Sequence, residues 1–286
     1  MSEPNYFNIP YSNLPSHGQL YPKCSSIRFR ILQIRDLKYL AAMDEKNAFK
    51  MIGDILKRCL KVEGMDLSDI YRMDRLPIIF YLRRNTFMLS NGYQTEFDCP
   101  YCGSRVIKNF EVHNIKSKPI EESVIRKAEI GGITVSGIYR KIFDPEIRTE
   151  DPEIDLIVNW TDIVESWNIE GRDLVKKILE LPADEYARLK HLASDARCGV
   201  LGYTELMCDR CMNTMKVGID LSDDKLFNRI QLSTMIRNQI QVSKYCGITI
   251  TDEMPYNEVE MMIAIVNEMS QNEAENLEKA KNKRSS

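Results

Sequence analysis

Two stretches decide how this chain is read: Thr95-Glu96-Phe97-Asp98-Cys99-Pro100-Tyr101-Cys102-Gly103 and Thr204-Glu205-Leu206-Met207-Cys208-Asp209-Arg210-Cys211. Both spell T-E-apolar-x-C-x-x-C, a small internal repeat around two Cys-x-x-Cys pairs. The two-residue spacer lets both sulfurs of a pair reach one ion, and two such knuckles supply the four thiolates of a tetrahedral zinc site. Cys99, Cys102, Cys208 and Cys211 are therefore the candidate metal ligands, and structural Zn2+ the candidate cofactor. Strand text follows each knuckle. Arg105, Ile107 and Asn109 alternate with Val106, Lys108 and Phe110, and Met215, Val217, Ile219 and Leu221 recur at every second position. Two strand–knuckle–strand units on one ion make a zinc ribbon, here split by the whole of 103–207. An insertion must leave the ribbon and return to it, so the metal closes a very long loop. A closed four-cysteine site holds a fold together and leaves no open position for catalysis. At the scale of about 10–16 kcal/mol for structural zinc, folding is expected to depend on metal.

Cys-Pro-Tyr-Cys is also the active-site text of glutaredoxins, where the pair opens a helix that lowers the thiol pKa. Here Gly103-Ser104 and then alternation follow, and redox chemistry would leave Cys208 and Cys211 without a role. The remaining cysteines, Cys24, Cys59, Cys198 and Cys246, are isolated and read as core thiols.

Composition narrows the class. The chain has 286 residues, 39 Lys+Arg against 42 Asp+Glu, and a formal net charge of −3. That balance lacks the basic excess of a non-specific nucleic-acid binder. No run reaches the roughly 18–20 apolar residues of a bilayer span, and Met-Ser-Glu-Pro-Asn-Tyr is not a secretion signal. A soluble, intracellular chain in a reducing compartment is expected, where paired cysteines hold metal more often than they form disulfides. No phosphate-binding Gly loop, dinucleotide fingerprint, His-Glu-x-x-His or Gly-x-Ser-x-Gly occurs. His17, His113 and His191 are scattered. No enzyme is indicated.

The expected fold is α+β and mostly helical, with a split, four-cysteine, zinc-ribbon-like β element interrupted by a helical insertion. Residues 1–26, punctuated by Pro10, Pro15 and Pro22, read as an extended arm. Residues 27–111 carry a strand at 27–32 with Arg28 and Arg30 on its wet face, then three helices and the first knuckle. The apolar stripe of the second helix runs from Phe49 to Cys59, and the third spans Leu76 to Phe87 with Asp74 as cap. Residues 112–203 form the mainly helical insertion: a hairpin at Gly131-Gly132 with Ile133, Val135 and Ile138, then a helix opened by Asp151-Pro152-Glu153 and reaching Trp167. Helices at 173–181 and 183–197 follow, split by Pro182. Residues 204–270 hold the second knuckle, a helix capped by Ser222 that carries Leu226, Ile230 and Met235 to Gly247, and a last helix from Pro255. Residues 271–286 read as a solvated, frayed tail.

The order of these parts resembles a known family. It consists of the arm Leu14-Pro15-Ser16-x-Gly18-x-x-Tyr21-Pro22, the strand with Arg28 and Arg30, helices ending in Leu82-Arg83-x-Asn85-Thr86-Phe87, two knuckles around a helical insert, and Gly247-Ile248-Thr249-Ile250-x-x-x-Met254-Pro255 before an acidic helix. Over residues 12–270 it looks like the baseplate hub proteins of T-even-like contractile-tailed bacteriophages. The resemblance implies a non-enzymatic part in tail and baseplate assembly, with other baseplate and hub proteins as partners. It implies no nucleic acid, membrane or small-molecule substrate. The place of action would be the host cell cytoplasm, with the virion baseplate as a further destination left open. Two other readings stay open at this point: a zinc-ribbon nucleic-acid-binding regulator, and a thiol oxidoreductase on Cys99 and Cys102.

Overall fold

The apolar residues from Ile9 to Phe87 must be buried together, and the first sheet and three helices arrange this. A computed structural model of the chain describes residues 5–89, 93–110, 117–121, 127–137, 140–163, 172–227 and 232–284. Strands β1 (Phe7–Asn8), β2 (Ser26–Phe29) and β3 (Leu60–Glu63) form an antiparallel sheet in the order β1-β2-β3. Helices α1 (Ile34–Leu40), α2 (Ala48–Cys59) and α3 (Arg75–Thr86) complete the main core. The stripe Ile52, Ile55, Leu56 and Cys59 is fully buried, as its helical spacing requires.

The segment read as an extended arm packs into this core. Ile9, Leu14 and Tyr21 are buried in it, and Phe7 pairs with Phe29 across the sheet. Two further details differ from the sequence reading. Arg30 is buried, because β2 ends at Phe29 and the alternation that would have exposed Arg30 ends with it. Its Nη1 donates to Asp36 Oδ2 at 2.7 Å, and the Gln33 N–H donates to the same oxygen at 2.9 Å, closing the start of α1. Asp74 does not cap α3 with its side chain. Its carboxylate instead accepts from the Ser16 N–H (3.1 Å) and the Tyr21 hydroxyl (2.5 Å), tying the N-terminal segment to α3.

The insertion leaves and returns through a narrow neck. β6 (Ser117–Lys118) pairs antiparallel with β9 (Gly199–Val200). Beside this pair Met73, Ile120, Ala196 and Cys198 form a small apolar cluster. Beyond the neck the insertion has its own core. The hairpin β7 (Ala128–Ile130) and β8 (Ile133–Val135) turns at Gly131 and Gly132, whose φ of +60° and +74° suit the tight two-residue turn. It packs with α4 (Pro152–Trp160), α5 (Arg172–Leu179) and α6 (Ala183–Ala196) around Ile154, Ile157, Ile178 and Leu189. The Asp151 side chain accepts from the Glu153 N–H at 2.8 Å, as an acid cap with Pro at the first position should. α4 ends at Trp160, which is half-buried against the insertion core; Ile138 and Trp167 lie outside the described residues.

The C-terminal third returns to the main core. After the second knuckle come a single turn, α7 (Asp223–Leu226), then α8 (Leu232–Cys246) and α9 (Tyr256–Arg284). The helix expected from Ser222 is thus a separate turn followed by α8, with 228–231 outside the described residues. Leu226, Phe227, Met235 and Val259 enter the main core, and Arg83, 1% exposed, donates Nη1 to the Leu226 carbonyl at 2.5 Å. Gly247, at φ +66°, follows the last residue of α8 as a helix-ending glycine should. Through most of the tail α9 runs on, to Arg284, and it is exposed along 271–276. Among the described residues no helix is long and apolar enough to cross a membrane. The architecture is α+β, with small antiparallel sheets and a four-cysteine cluster drawn from two separated segments.

Candidate metal centre

Each knuckle is the turn of a β-hairpin. β4 (Tyr93–Asp98) pairs with β5 (Arg105–Phe110), and β10 (Tyr203–Met207) with β11 (Thr214–Gly218). The sequence repeat is a structural repeat. Phe97 faces Val106 in the first hairpin, and Leu206 faces Met215 in the second. The turns match bond for bond. The Cys99 N–H donates to the Ser104 carbonyl (2.9 Å) and the Gly103 N–H to the Cys99 carbonyl (2.8 Å). In the second turn Cys208 donates to Asn213 (3.0 Å) and Met212 to Cys208 (2.9 Å). Gly103 (φ +67°) and Met212 (φ +59°) both occupy the left-handed region that lets the chain reverse one residue after the second cysteine.

The hairpins meet sulfur to sulfur. All four Sγ atoms of Cys99, Cys102, Cys208 and Cys211 lie within 4.8 Å of one another. The Cys99–Cys211 and Cys102–Cys208 separations are 3.7 and 3.8 Å, linking one hairpin to the other. A tetrahedron with Zn–S near 2.3 Å has S···S edges of about 3.8 Å, whereas a disulfide needs about 2.0 Å. The spacing thus fits one four-coordinate ion and no disulfide. Cys99 and Cys208 are buried; Cys102 and Cys211 are partly exposed. Val106, Met215 and Val217 pack beside the sulfurs, forming an apolar cluster separate from both larger cores.

The surroundings favour thiolates unevenly. Hydrogen bonding from the Ser104 hydroxyl, 3.1 Å from Cys102 Sγ, and from the Ser104 backbone brings the Cys102 thiol down to about 6. The N–H groups of Cys211 and Arg210 lower Cys208. Burial pushes Cys99 up to about 11, so a cation would have to supply the charge that keeps Cys99 ionised. Polar clips outside the sulfur cage reinforce the pairing: Lys108 bonds Asp209, and Arg210 Nη1 donates to Ser104 Oγ at 3.2 Å. These two cross-hairpin clips had no signature in the sequence.

The structure therefore brings together all four candidate ligands. The group could hold a metal ion such as zinc, with the chemistry of a closed, all-thiolate donor set. Neither pair opens a helix, the setting that a glutaredoxin-like reading requires. The isolated cysteines lie elsewhere. Cys24, Cys59 and Cys198 are buried, and burial raises Cys59 and Cys198 to about 12, while Cys246 is only half-buried. Of the histidines, His191 is exposed and pairs with Asp195, His17 sits in a turn at φ +49°, and His113 lies outside the described residues. No family model, no curated protein and no solved structure matches this chain significantly.

Proposed function

We propose that this chain is a non-enzymatic assembly protein of a contractile-tailed phage baseplate hub, acting in the host cytoplasm through protein–protein contacts and stabilised by a structural zinc ion. The observation that carries the structural half is the four-sulfur cluster, which joins two hairpins from opposite sides of a separately folded insertion. A four-thiolate site has all its positions filled by protein and acts as a staple. The contact half is supported by two exposed apolar rows. Leu232, Ile236 and Ile240 recur every fourth residue along α8, and Met261, Ile265 and Met269 do so along α9; all six are exposed. The baseplate setting rests on the motif resemblance from Leu14 to Pro255. The test is purification of the tagged chain from infected cells, with metal analysis of the same sample. The expected result is co-purifying tail proteins and one zinc per chain; recovery of the chain alone would overturn the assembly reading.

A further inference from the structure

A cleft of about 1290 Å³ opens between the main core and the insertion, the kind of junction where ligand sites concentrate. Its walls are the start of α2, the start of α3, helix α4 and the stretch from Arg197 to Gly202. The charges in it are unevenly satisfied. Asp223 takes a two-pronged bond from Arg75 (2.6 and 2.8 Å), Asp224 pairs with Lys225 at 3.0 Å, and Asp155 and Asp220 accept backbone N–H groups. The remaining cations are met less closely. Glu146 serves both Arg72 and Arg148, at 3.8 and 3.7 Å, beyond hydrogen-bond range of either. Arg72 Nη1 is buried without a hydrogen-bond acceptor. Among the described residues of the cleft, Lys46, Lys50 and Arg197 have no ion-pair partner, and neither do Glu45, Asp155 and Asp220; the lining as a whole holds eight Lys and Arg against six Asp and Glu. Helix α2 also points its N-terminus here with no acid in its first turn, adding positive potential.

Arg72, a quarter exposed, keeps one N–H shut off from water with no acceptor beside Lys46, Lys50 and Arg197, and an anion in the cleft would complete it. We infer that this cleft binds the phosphates of an oligophosphate ligand, with Arg72 as the inner contact and Lys46, Lys50 and Arg197 around it. Burial, with the Arg75 and Arg140 charges, works against the charged form of Arg72 and outweighs the opposing pull of Glu146 and Asp223. Half-buried Trp160 lines the same cleft and offers a face on which a base could stack.

The test is calorimetric titration of the zinc-loaded full chain with sodium tripolyphosphate and, separately, with ATP, bound zinc being assayed before and after. One saturable site per chain is expected. Arg72→Gln should weaken binding about ten- to a hundredfold, the loss of a charge-assisted hydrogen bond. The exposed pair Lys50→Ala and Arg197→Ala should weaken it up to about fivefold each. Tighter binding of ATP than of tripolyphosphate assigns a nucleotide, and equal binding a bare phosphate chain. The proposal is overturned if neither ligand binds, if an oligo-glutamate peptide binds in their place, or if a folded Arg72→Gln protein binds as tightly as the parent. Should Arg72→Gln fail to fold, unchanged affinity in the Lys50→Ala/Arg197→Ala double variant overturns it instead.

Discussion

Gly103 and Met212 stand at the same place in two matching turns, yet only one of them is suited to it. A side chain in the left-handed region costs roughly 1–2 kcal/mol, and glycine avoids that. Met212→Gly is therefore expected to stabilise the zinc-loaded protein by about 1 kcal/mol. Gly103→Ala, whose added Cβ would meet nothing within 4 Å, should lose a similar amount from backbone strain alone. Denaturant unfolding at saturating zinc reads both. Asp74 makes a prediction of the opposite kind. Burial raises its pKa despite the hydrogen bonds from Ser16 and Tyr21. Its native state thus holds a proton that the unfolded state releases near pH 4, and stability from this group is lost as pH rises through the native pKa. Asp74→Asn should remove that fall. The difference between the two proteins across pH 4–7 isolates it, since acid-driven metal release is common to both. Asp36→Asn strands the buried Arg30 charge and should cost about 3–5 kcal/mol, measured by the same unfolding series. None of these buried partners was legible in the sequence. Alternation places Arg30 only while the strand lasts, and cap logic for Asp74 sees four residues, whereas its partners lie 53 and 58 positions away.

Among the elements, the hairpins β4–β5 and β10–β11 were legible because ligand spacing and period-two alternation act over a few residues. Their independence from the rest was not legible. The apolar cluster around the sulfurs shares no residue with the main core or with the insertion core. An isolated two-stranded hairpin is marginal in water. Metal removal should therefore melt these hairpins locally, a narrower outcome than the chain-wide dependence that the zinc scale alone suggested. Hydrogen exchange after chelation is expected to rise over 93–110 and 203–218 while α1, α2 and α3 stay protected. Loss of protection throughout would contradict this. Helix α9 shows the converse. Its sequence turns polar after Met269, which reads as fraying, but alternating acids and bases such as Glu275 and Lys279 support helix at every fourth position. Because 271–276 is exposed, truncation after Ser270 should shift stability by less than about 0.5 kcal/mol. A thermal melt of the truncated protein checks this.

At the level of the whole molecule, the interrupted-ribbon plan was legible from the repeat, but the neck was not. Ser117–Lys118 and Gly199–Val200 are two residues each, too short to carry a pattern, and only tertiary contact reveals that they pair. Their pairing changes the physics of the metal site. With the insertion tied off at its base, the ion no longer has to close the whole of 103–207, only the short arms between neck and knuckles, and loop-closure entropy falls with the logarithm of that length. A neck-breaking Gly199→Val should therefore weaken zinc affinity in a competition titration, although Gly199 touches no sulfur. Its φ of +105° and the Met73 carbonyl 3.2 Å from the added Cβ exclude a side chain there. The split of the ligands also sets a clock on synthesis. Cys102 and Cys208 are 106 positions apart. At translation rates of about 5–20 residues per second, the first knuckle waits about 5–20 s on the ribosome as two bare thiols before its mate emerges. Through that interval the nascent chain is a bidentate scavenger open to oxidants and to other metals, so the reducing power of the cell during translation governs the yield of correctly stapled protein.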